Sequence, residues 1–243
     1  MTVIRVVDLE TTGLDANSEV CEIGYCDVVA DELDTKGNPT GWKVIGGSAS
    51  LVSITIPMPP EASAVHHIID EDLVGAPRLS DLAPVIFKHP KNRPFLLAAH
   101  NCKFERQFLT PEVTGKLPWI CTYKAAYRVW PDAPEHKNQT LRYWRKPDGL
   151  LREKAGSAHR AFGDAYVTAF LLRDLLQVAT VEQLVEWCDE PVLLTRVSFG
   201  KHQGKLWTEV PSDYLEWMLG QDFDEDRMFT ARHNLNIRKA YPI

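Results

Sequence analysis

The sequence lacks a hydrophobic run long enough to span a membrane. Its longest uncharged stretch, residues 44–60, is interrupted by two glycines and three prolines, whereas a membrane helix needs about 20 predominantly apolar residues. Arg5 and Asp8 interrupt the N-terminus where a signal peptide has its apolar core. We therefore expect a protein without a membrane span that stays in the cytoplasm.

Cysteine is scarce and irregularly spaced. The five cysteines form no Cys-x-x-Cys pair, so the sequence predicts neither a disulfide framework nor a zinc site. Hydrophobic residues make up 44% and charged residues 25% of the 243 residues, which is typical of a globular fold. The net charge of −6 argues against nucleic acid as a partner, because phosphate binding uses a positive field.

Five stretches rich in β-branched or apolar residues are predicted to form strands. The first is expected to be central, and the next two to complete an antiparallel three-strand unit with it. The last two are short apolar runs, typical of buried strands. The predicted strands are 3–7, 20–30, 42–56, 95–99 and 119–122.

Apolar residues at helical spacing predict helices between and after these strands. Asn101 is predicted to cap one helix and Thr122 another. The predicted helices are 79–88, 102–109, 123–129 and 161–176. Because strands that alternate with helices form an α/β sheet, we expect an α/β fold, a mixed β-sheet flanked by helices.

The character of the sequence changes near residue 190. A Thr-x-x-Gln capping box at 180–183 opens a short helix. Beyond it, 197–207 is predicted to form a glycine-containing hairpin and 211–219 a helix. We predict one domain at 1–178, followed at 179–243 by a linker helix and a small C-terminal α+β module.

Four acidic residues are predicted to converge on a metal site. Asp8 and Glu10 are two apart on the first strand, so they point to the same face. Glu105 follows a predicted buried strand and Asp164 lies near the start of a helix, where a parallel sheet binds ligands. Oxygen ligands without thiolates favour Mg²⁺ or Mn²⁺ over Zn²⁺. A lone Asp-x-Glu pair, in contrast, is more often an exposed strand end.

His159 precedes Asp164 by five residues, in a predicted loop just before the helix. Neutral imidazole near a metal-activated water is the expected general base. Taken alone, a loop histidine is more often a solvated side chain, so this interpretation depends on the acids around it.

Three segments resemble the motifs of the DEDDh class of 3′–5′ exonucleases, the superfamily of the proofreading subunit of bacterial replicative polymerase. They are DLETTGLD at 8–15, HNCKFE at 100–105 and HRAFGD at 159–164. Within that class, 64–73, 119–131 and 199–205 are similar to the exodeoxyribonuclease X group.

The resemblance implies a ribonuclease H-like fold and the hydrolysis of DNA from its 3′ end to 5′-mononucleotides. It implies that Asp8, Glu10 and Asp164 bind two Mg²⁺ or Mn²⁺ ions, with Asp8 bridging them. His159 would deprotonate the attacking water, and both ions would stabilise charge on the scissile phosphate. Glu105 stands where the class usually has aspartate.

The partner implied is a DNA 3′ end, single-stranded or frayed from a duplex. The backbone at Thr11 and Thr12 would hold the terminal nucleotide, and His66 would lie beside its base. The candidate substrate-binding residues are Thr11, Thr12, Gly13, Val65, His66, Asn101, Phe104, Arg152 and Lys154.

Local charge offsets the net negative charge. Two bound divalent ions would neutralise the four acids. Residues 137–160 contain seven basic and two acidic residues, and 88–106 contain five and one. Tyr143 and Trp144 are predicted to stack on bases, and the cations of the first stretch to contact phosphates. Those cations are Arg142, Arg145, Lys146, Arg152 and Lys154.

Two alternatives stay open. An RNase T-like exoribonuclease would share the site, because a contact to the 2′-hydroxyl is what distinguishes RNA. A non-catalytic nucleic-acid-binding module is the second alternative, for which Glu105 is the motivating irregularity. A homodimer is also left open.

Overall fold

The computed structural model describes residues 1–15, 17–89, 93–156 and 158–240. Pro90, which follows the predicted helix 79–88, lies outside the described residues. The strands are β1 (Thr2–Thr11), β2 (Val20–Ala30), β3 (Glu32–Leu33), β4 (Pro39–Thr40), β5 (Lys43–Leu51), β6 (Leu96–Ala99) and β7 (Trp119–Cys121).

A mixed five-stranded sheet has the order β5-β2-β1-β6-β7. β1 and β2 are antiparallel, as are β2 and β5, whereas β6 and β7 run parallel to β1. The carboxyl ends of β1, β6 and β7 therefore lie at the same edge of the sheet. The predicted central first strand and its antiparallel three-strand unit are confirmed, and β3 and β4 pair separately.

Helices cover both faces of the sheet. No helix in the described part of the chain is long and apolar enough to cross a membrane. The helices are α1 (Pro60–His66), α2 (Leu79–Phe87), α3 (Glu105–Phe108), α4 (Pro111–Thr114), α5 (Thr122–Val129), α6 (Asn138–Arg145), α7 (Arg152–Ala155), α8 (Ala161–Leu175), α9 (Val181–Asp189), α10 (Ser212–Leu219) and α11 (Glu225–Ala240).

Alternating residues of β1 divide the core into two layers. Ile4 and Val6 belong to the cluster that includes α8, and Val7 belongs to the cluster that includes Ile86 and Phe87 of α2. Each fully buried side chain of this size stabilises the fold by about 1.5–3 kcal/mol. The central strand β1 is therefore buried on both faces, whereas the outer strand β5 is largely exposed.

The N-terminus of α8 lies directly against β2. A Cβ atom on Gly24 would be 2.2 Å from the carbonyl carbon of Ala161, so only glycine permits this approach. The buried Glu22 carboxylate accepts hydrogen bonds from the Ala161 N–H at 2.9 Å and from the Arg160 guanidinium at 2.8 Å. These contacts fix the first turn of α8, which contains Asp164.

The outer strand β5 is irregular where it pairs with β2. The register shifts between Asp27 and Val28, and Gly46 has a φ of +108°. A Cβ atom on Gly47 would lie 1.8 Å from the Tyr25 carbonyl oxygen. The bulge leaves Ile45 unpaired between Val44 and Gly46, and the backbone of Gly46 and the close contact of Gly47 both require glycine.

Two of the three predicted helix caps, Asn101 and Thr122, are wrong. Asn101 has a left-handed φ of +74° and lies in a turn, and α3 begins only at Glu105, because asparagine favours such turns as readily as caps. Thr122 is the first residue of α5 rather than its cap. Its hydroxyl donates to the Ala99 carbonyl at 3.3 Å and lies 3.0 Å from His100 Nδ1.

The C-terminal region contains its own small core, around Val197, Trp207 and Leu215. The predicted hairpin is reduced to one bridge, Arg196 to Leu206, flanked by 3₁₀ turns. The capping box of α9 and the helix α10 are present, but α11 was not predicted. Val181 of α9 packs in the core of the large sheet, and the division at 178/179 stays a prediction.

We expect Gly24→Ala to lower the free energy of unfolding by about 1–3 kcal/mol, because the added methyl group overpacks the contact with Ala161. Chemical denaturation measures this change. Gly220→Ala is the matched control: its Cβ would lie 3.5 Å from the Trp217 carbonyl oxygen, and we expect a change within about 0.5 kcal/mol. Equal stabilities of the two variants would contradict this account.

Candidate active site

An open cavity of about 850 Å³ lies at the edge of the sheet where β1 and β6 end. The structure brings eleven of the residues singled out from the sequence together in its walls. They are Asp8, Glu10, Thr11, Thr12, Gly13, Val65, His66, Phe104, Glu105, His159 and Asp164.

Three chain segments contribute the four acids. Asp8 and Glu10 are on β1, Glu105 is the first residue of α3, and Asp164 is in the first turn of α8. One ligand atom from each of Glu10, Asp164 and His159 lies within 4.8 Å of the other two. The convergence that the strand and helix pattern predicted is therefore present.

Burial and mutual repulsion make these carboxylates difficult to ionise. Burial, followed by the charges of Asp164, Glu105, Glu10 and Glu22, raises the pKa of Asp8 well above its usual value. Burial and the same neighbouring charges of Asp164 and Glu22 raise the pKa of Glu10 to about 8. Without a bound cation, the fully ionised state of the acid cluster is therefore electrostatically unfavourable at neutral pH.

The buried Glu105 carboxylate has an unsatisfied oxygen. Burial raises the pKa of Glu105, and its Oε2 atom has no hydrogen-bond partner among the described residues. A buried polar atom without a partner is costly. Together with an all-oxygen donor set, this atom fits a hard divalent cation such as Mg²⁺ or Mn²⁺.

Two donors hold the Asp164 carboxylate. The Gln139 side-chain amide donates to Oδ1 at 2.6 Å, and the His159 backbone N–H donates to Oδ2 at 2.7 Å. Arg142, which is buried, donates to Gln139 Oε1 at 3.0 Å. Because Oε1 accepts from Arg142, the Gln139 amide is oriented with its N–H group toward Asp164.

His159 is exposed and has a left-handed backbone, with a φ of +62°. Non-glycine residues adopt this conformation at a cost, and here the hydrogen bond from its N–H to Asp164 stabilises it. The imidazole is thus placed at the acid cluster while remaining accessible to solvent.

Six of the nine predicted substrate-binding residues line this cavity, and three do not. Thr11 Oγ1 donates to the Gly13 carbonyl at 2.6 Å, which shapes the turn after β1. His66 is buried, and its Nδ1 accepts from the Ile68 N–H at 3.0 Å, whereas Val65 is 46% exposed at the cavity. The structure does not place Asn101, Arg152 and Lys154 in the walls of this cavity.

Those three residues lie elsewhere. Asn101 lines a second cavity beside the first. Lys154 lines a shallow groove with Gly47 and Arg160, and Arg152 is exposed at the start of α7. Their role in binding substrate stays a prediction.

Several cations of the basic stretches are engaged within the fold. Arg142 bonds to Gln139, Arg145 lies 3.6 Å from Asp174, and Arg106 pairs with Asp189 at 2.7 Å. Arg142 is buried, whereas the side chains of Arg145 and Arg106 remain 36% and 44% exposed. Contact of Arg142, Arg145 and Lys146 with phosphates stays a prediction. Tyr143 and Trp144, which are predicted to stack on bases, are exposed, at 60% and 40%. Residues 90–92 of the second basic stretch lie outside the described residues.

Sequence reasoning did not single out Lys137, Asn138 and Gln139, which are consecutive polar residues in the cavity walls. Asn138 Nδ2 donates to Thr168 Oγ1 at 2.5 Å and to the Asp164 carbonyl at 3.3 Å. These residues open α6, which has no recognisable cap and only two buried residues. No sequence signal therefore indicated that this helix starts beside Asp164.

Comparison with known proteins gives concordant matches. The family model described as exonuclease, RNase T, matches residues 6–172. Exodeoxyribonuclease 10 of Escherichia coli K12 is 31% identical over 96% of this chain and 98% of its own length. The DNA polymerase III subunit epsilon of Treponema pallidum is 31% identical over 70% of this chain and 74% of its own.

A solved structure is also similar. Exonuclease X in complex with 5′-overhanging duplex DNA superposes with a TM-score of 0.56 at 28% sequence identity. The match covers 76% of this chain and 99% of that one.

We expect Mg²⁺ to stabilise the protein more at pH 8 than at pH 6. The pKa of Glu10 is about 8 in the folded protein against an ordinary 4.5, so without metal its stabilising contribution is complete below about pH 4.5 and is lost as the pH rises through 8. Bound Mg²⁺ offsets that loss, and protons compete with it at pH 6.

Melting temperatures in Mg²⁺ and in EDTA at both pH values measure this effect. Glu10→Gln should reduce the pH-dependent difference without abolishing it, because the pKa values of Asp8 and Glu105 are also raised, whereas the exposed Glu216→Gln should leave it intact. Identical melting temperatures with and without Mg²⁺ at both pH values would refute the metal site.

Gln139→Leu should weaken Mn²⁺ binding by about 10- to 100-fold, the usual effect of removing a group that orients a metal ligand. Calorimetric titration with Mn²⁺ measures the affinity. Gln177→Leu, at an exposed position, is the control and should bind Mn²⁺ like the wild type. Unchanged affinity in Gln139→Leu would show that the hydrogen bond to Asp164 does not orient this carboxylate.

Proposed function

The chain belongs to the exonuclease family of RNase T, and from this membership we propose that it is a divalent-metal-dependent 3′–5′ exonuclease that hydrolyses DNA to 5′-mononucleotides. The observation that supports this most strongly is the convergence of four carboxylates and His159 in one open cavity. The overall likeness to an exodeoxyribonuclease over 96% of the chain favours DNA as the substrate. We propose that it acts in the cytoplasm.

Asp8, Glu10, Glu105 and Asp164 are the residues that would hold two Mg²⁺ or Mn²⁺ ions. Bound divalent ions supply positive charge that favours ionisation of the attacking water and stabilises a scissile phosphate. The repulsion that Asp8 shares with its neighbouring carboxylates supports a ligand role for this residue. The unpartnered Glu105 oxygen supports a ligand role even though its side chain is one methylene longer than aspartate.

His159 is proposed as the general base. Its backbone N–H is anchored on Asp164 at 2.7 Å, while its ring lies exposed beside the carboxylates. A histidine in this position accepts the proton of the attacking water and releases it to solvent, which its exposure permits.

The terminal nucleotide is proposed to lie against the turn after β1 and helix α1. The backbone at Thr11 to Gly13 and the side chains of Val65 and His66 line this part of the cavity, and His66 contacts the Thr11 backbone. Phe104 offers an apolar surface for a sugar or base, and Lys137 lines the same cavity and can contact a phosphate.

Two alternatives differ in what they predict. An exoribonuclease would use the same acids and would require a contact to the 2′-hydroxyl. A non-catalytic binding module would bind nucleic acid without cutting it. A homodimer stays a prediction.

His159→Ala should lower the rate of 3′-end hydrolysis by about 10²- to 10⁴-fold, because the variant lacks the proton acceptor, while DNA binding is retained. Matched DNA and RNA oligonucleotides with a 5′ label, incubated with Mg²⁺ or EDTA, show the products as a ladder. We expect a Mg²⁺-dependent ladder that shortens from the 3′ end, with DNA as the preferred strand.

His233→Ala, on α11, is the matched control and should cut at the wild-type rate. Faster cutting of RNA would favour the exoribonuclease. Binding without any Mg²⁺-dependent cutting by the wild type would reject the catalytic proposal and favour the binding module.

A further inference from the structure

A second cavity, of about 600 Å³, lies beside the candidate active site and is lined by three cysteines from three different elements. Cys102 is in the turn between β6 and α3, Cys121 ends β7, and Cys188 is near the end of α9. The proposed hydrolysis uses none of these thiols. Their convergence therefore needs a separate explanation.

Cys102 is the central thiol of this group. Its sulfur lies 3.2 Å from the sulfur of Cys188, and its thiol also donates a hydrogen bond to Cys121. A disulfide joins sulfurs about 2.05 Å apart, so Cys102 and Cys188 need to approach by about 1 Å. Neighbouring groups already hold these elements together, because Arg106 of α3 pairs with Asp189 of α9 at 2.7 Å.

Cys121 has the surroundings of a reactive thiol. The hydrogen bond from Cys102 and the backbone N–H groups of Lys124, Cys102 and Asn101 lower the pKa of Cys121 against the effect of its burial. It also lies immediately before α5, and a helix N-terminus favours a thiolate. Cys26 is the contrast within this chain, because burial raises its pKa to about 12.

The cavity borders three thiols that are almost fully buried, with exposed fractions of 2% for Cys102, 2% for Cys121 and 4% for Cys188. Its volume is within the range of about 300–1,000 Å³ that accommodates drug-sized ligands. Lys103 and Lys124 line it together with Asp189, Asp224 and Asp226, so the cavity presents charges of both signs. Oxidised glutathione carries both carboxylates and ammonium groups and is a disulfide suited to such a lining.

We propose that Cys102, Cys121 and Cys188 form an oxidisable thiol site that reacts with low-molecular-weight disulfides and closes a Cys102–Cys188 disulfide. The Cys121 thiolate attacks the external disulfide, forms a mixed disulfide and releases one thiolate. Cys102 then loses its proton and attacks the Cys121 sulfur, which releases the second thiolate. Cys188 finally displaces Cys121 from Cys102.

The net reaction is balanced. The thiols of Cys102 and Cys188 are oxidised, one external disulfide is reduced to two thiols, and Cys121 returns to its initial state. The product links α9 to the turn that leads into Glu105, so the modification restrains the segment that carries a proposed metal ligand.

The test treats the full-length reduced protein with oxidised glutathione, blocks free thiols by alkylation at successive times and identifies linked peptides by mass spectrometry. In the wild type we expect glutathione on Cys121 first and the Cys102–Cys188 linkage afterwards. This order is measured without any variant. Cys26 serves as the internal control and should carry no glutathione.

Three variants separate the steps. Cys188→Ala should stop at a Cys102–Cys121 disulfide, Cys121→Ala should slow the Cys102–Cys188 linkage by about tenfold or more, and Cys26→Ala should behave like the wild type. Absence of any linked peptide among the three cysteines in the folded wild type would overturn the proposal. So would glutathione on Cys26 at the same rate as on Cys121. Neither outcome depends on exonuclease activity.

Discussion

The approach of α8 to β2 is the constraint on which the site depends. Asp164 reaches the carboxylates of β1 only because the helix starts against the neighbouring strand, where Gly24 leaves room for the Ala161 backbone. Glu22 then anchors the first turn through Arg160 and the Ala161 N–H. A residue of β2 that takes no part in the proposed chemistry thus determines where the helix begins, and the ligand set follows from that position.

Repulsion between the clustered carboxylates destabilises the fold, whereas apolar packing in the core stabilises it. Apolar side chains on both faces of β1 hold its end in place, and this rigidity forces Asp8 and Glu10 to stay near Asp164 despite their repulsion. In a flexible loop the same carboxylates would separate. Preorganised repulsion of this kind makes cation binding favourable, because the ions neutralise charges that the fold cannot move apart.

Sequence reasoning identified the acids and His159 because their positions follow from strand alternation and from three ordered motifs. It could not identify Gln139 and Arg142, whose relation to Asp164 depends on how α6 is oriented. Asn101 was assigned as a cap because asparagine suits both caps and left-handed turns, and tertiary context decided between them. Helix α11 was missed because its buried residues are few and its remaining surface is polar.

Cysteine spacing gave no indication of the three-thiol group either, since Cys102, Cys121 and Cys188 meet only through the packing of α9 against β7 and the turn after β6. The convergence of such groups is a property of the tertiary fold. The four acids also meet across distant segments, but strand ends at one sheet edge and ordered motifs marked them in the sequence, whereas no such pattern marks the three cysteines.

The bulge in β5 has a consequence for the behaviour of the protein at high concentration. A regular outer strand presents a row of backbone donors and acceptors that can pair with the same strand of another molecule. In β5 the register shift and the left-handed Gly46 interrupt that row, so a second chain cannot continue the sheet over its full length. The irregularity thus protects the protein against aggregation through its open edge.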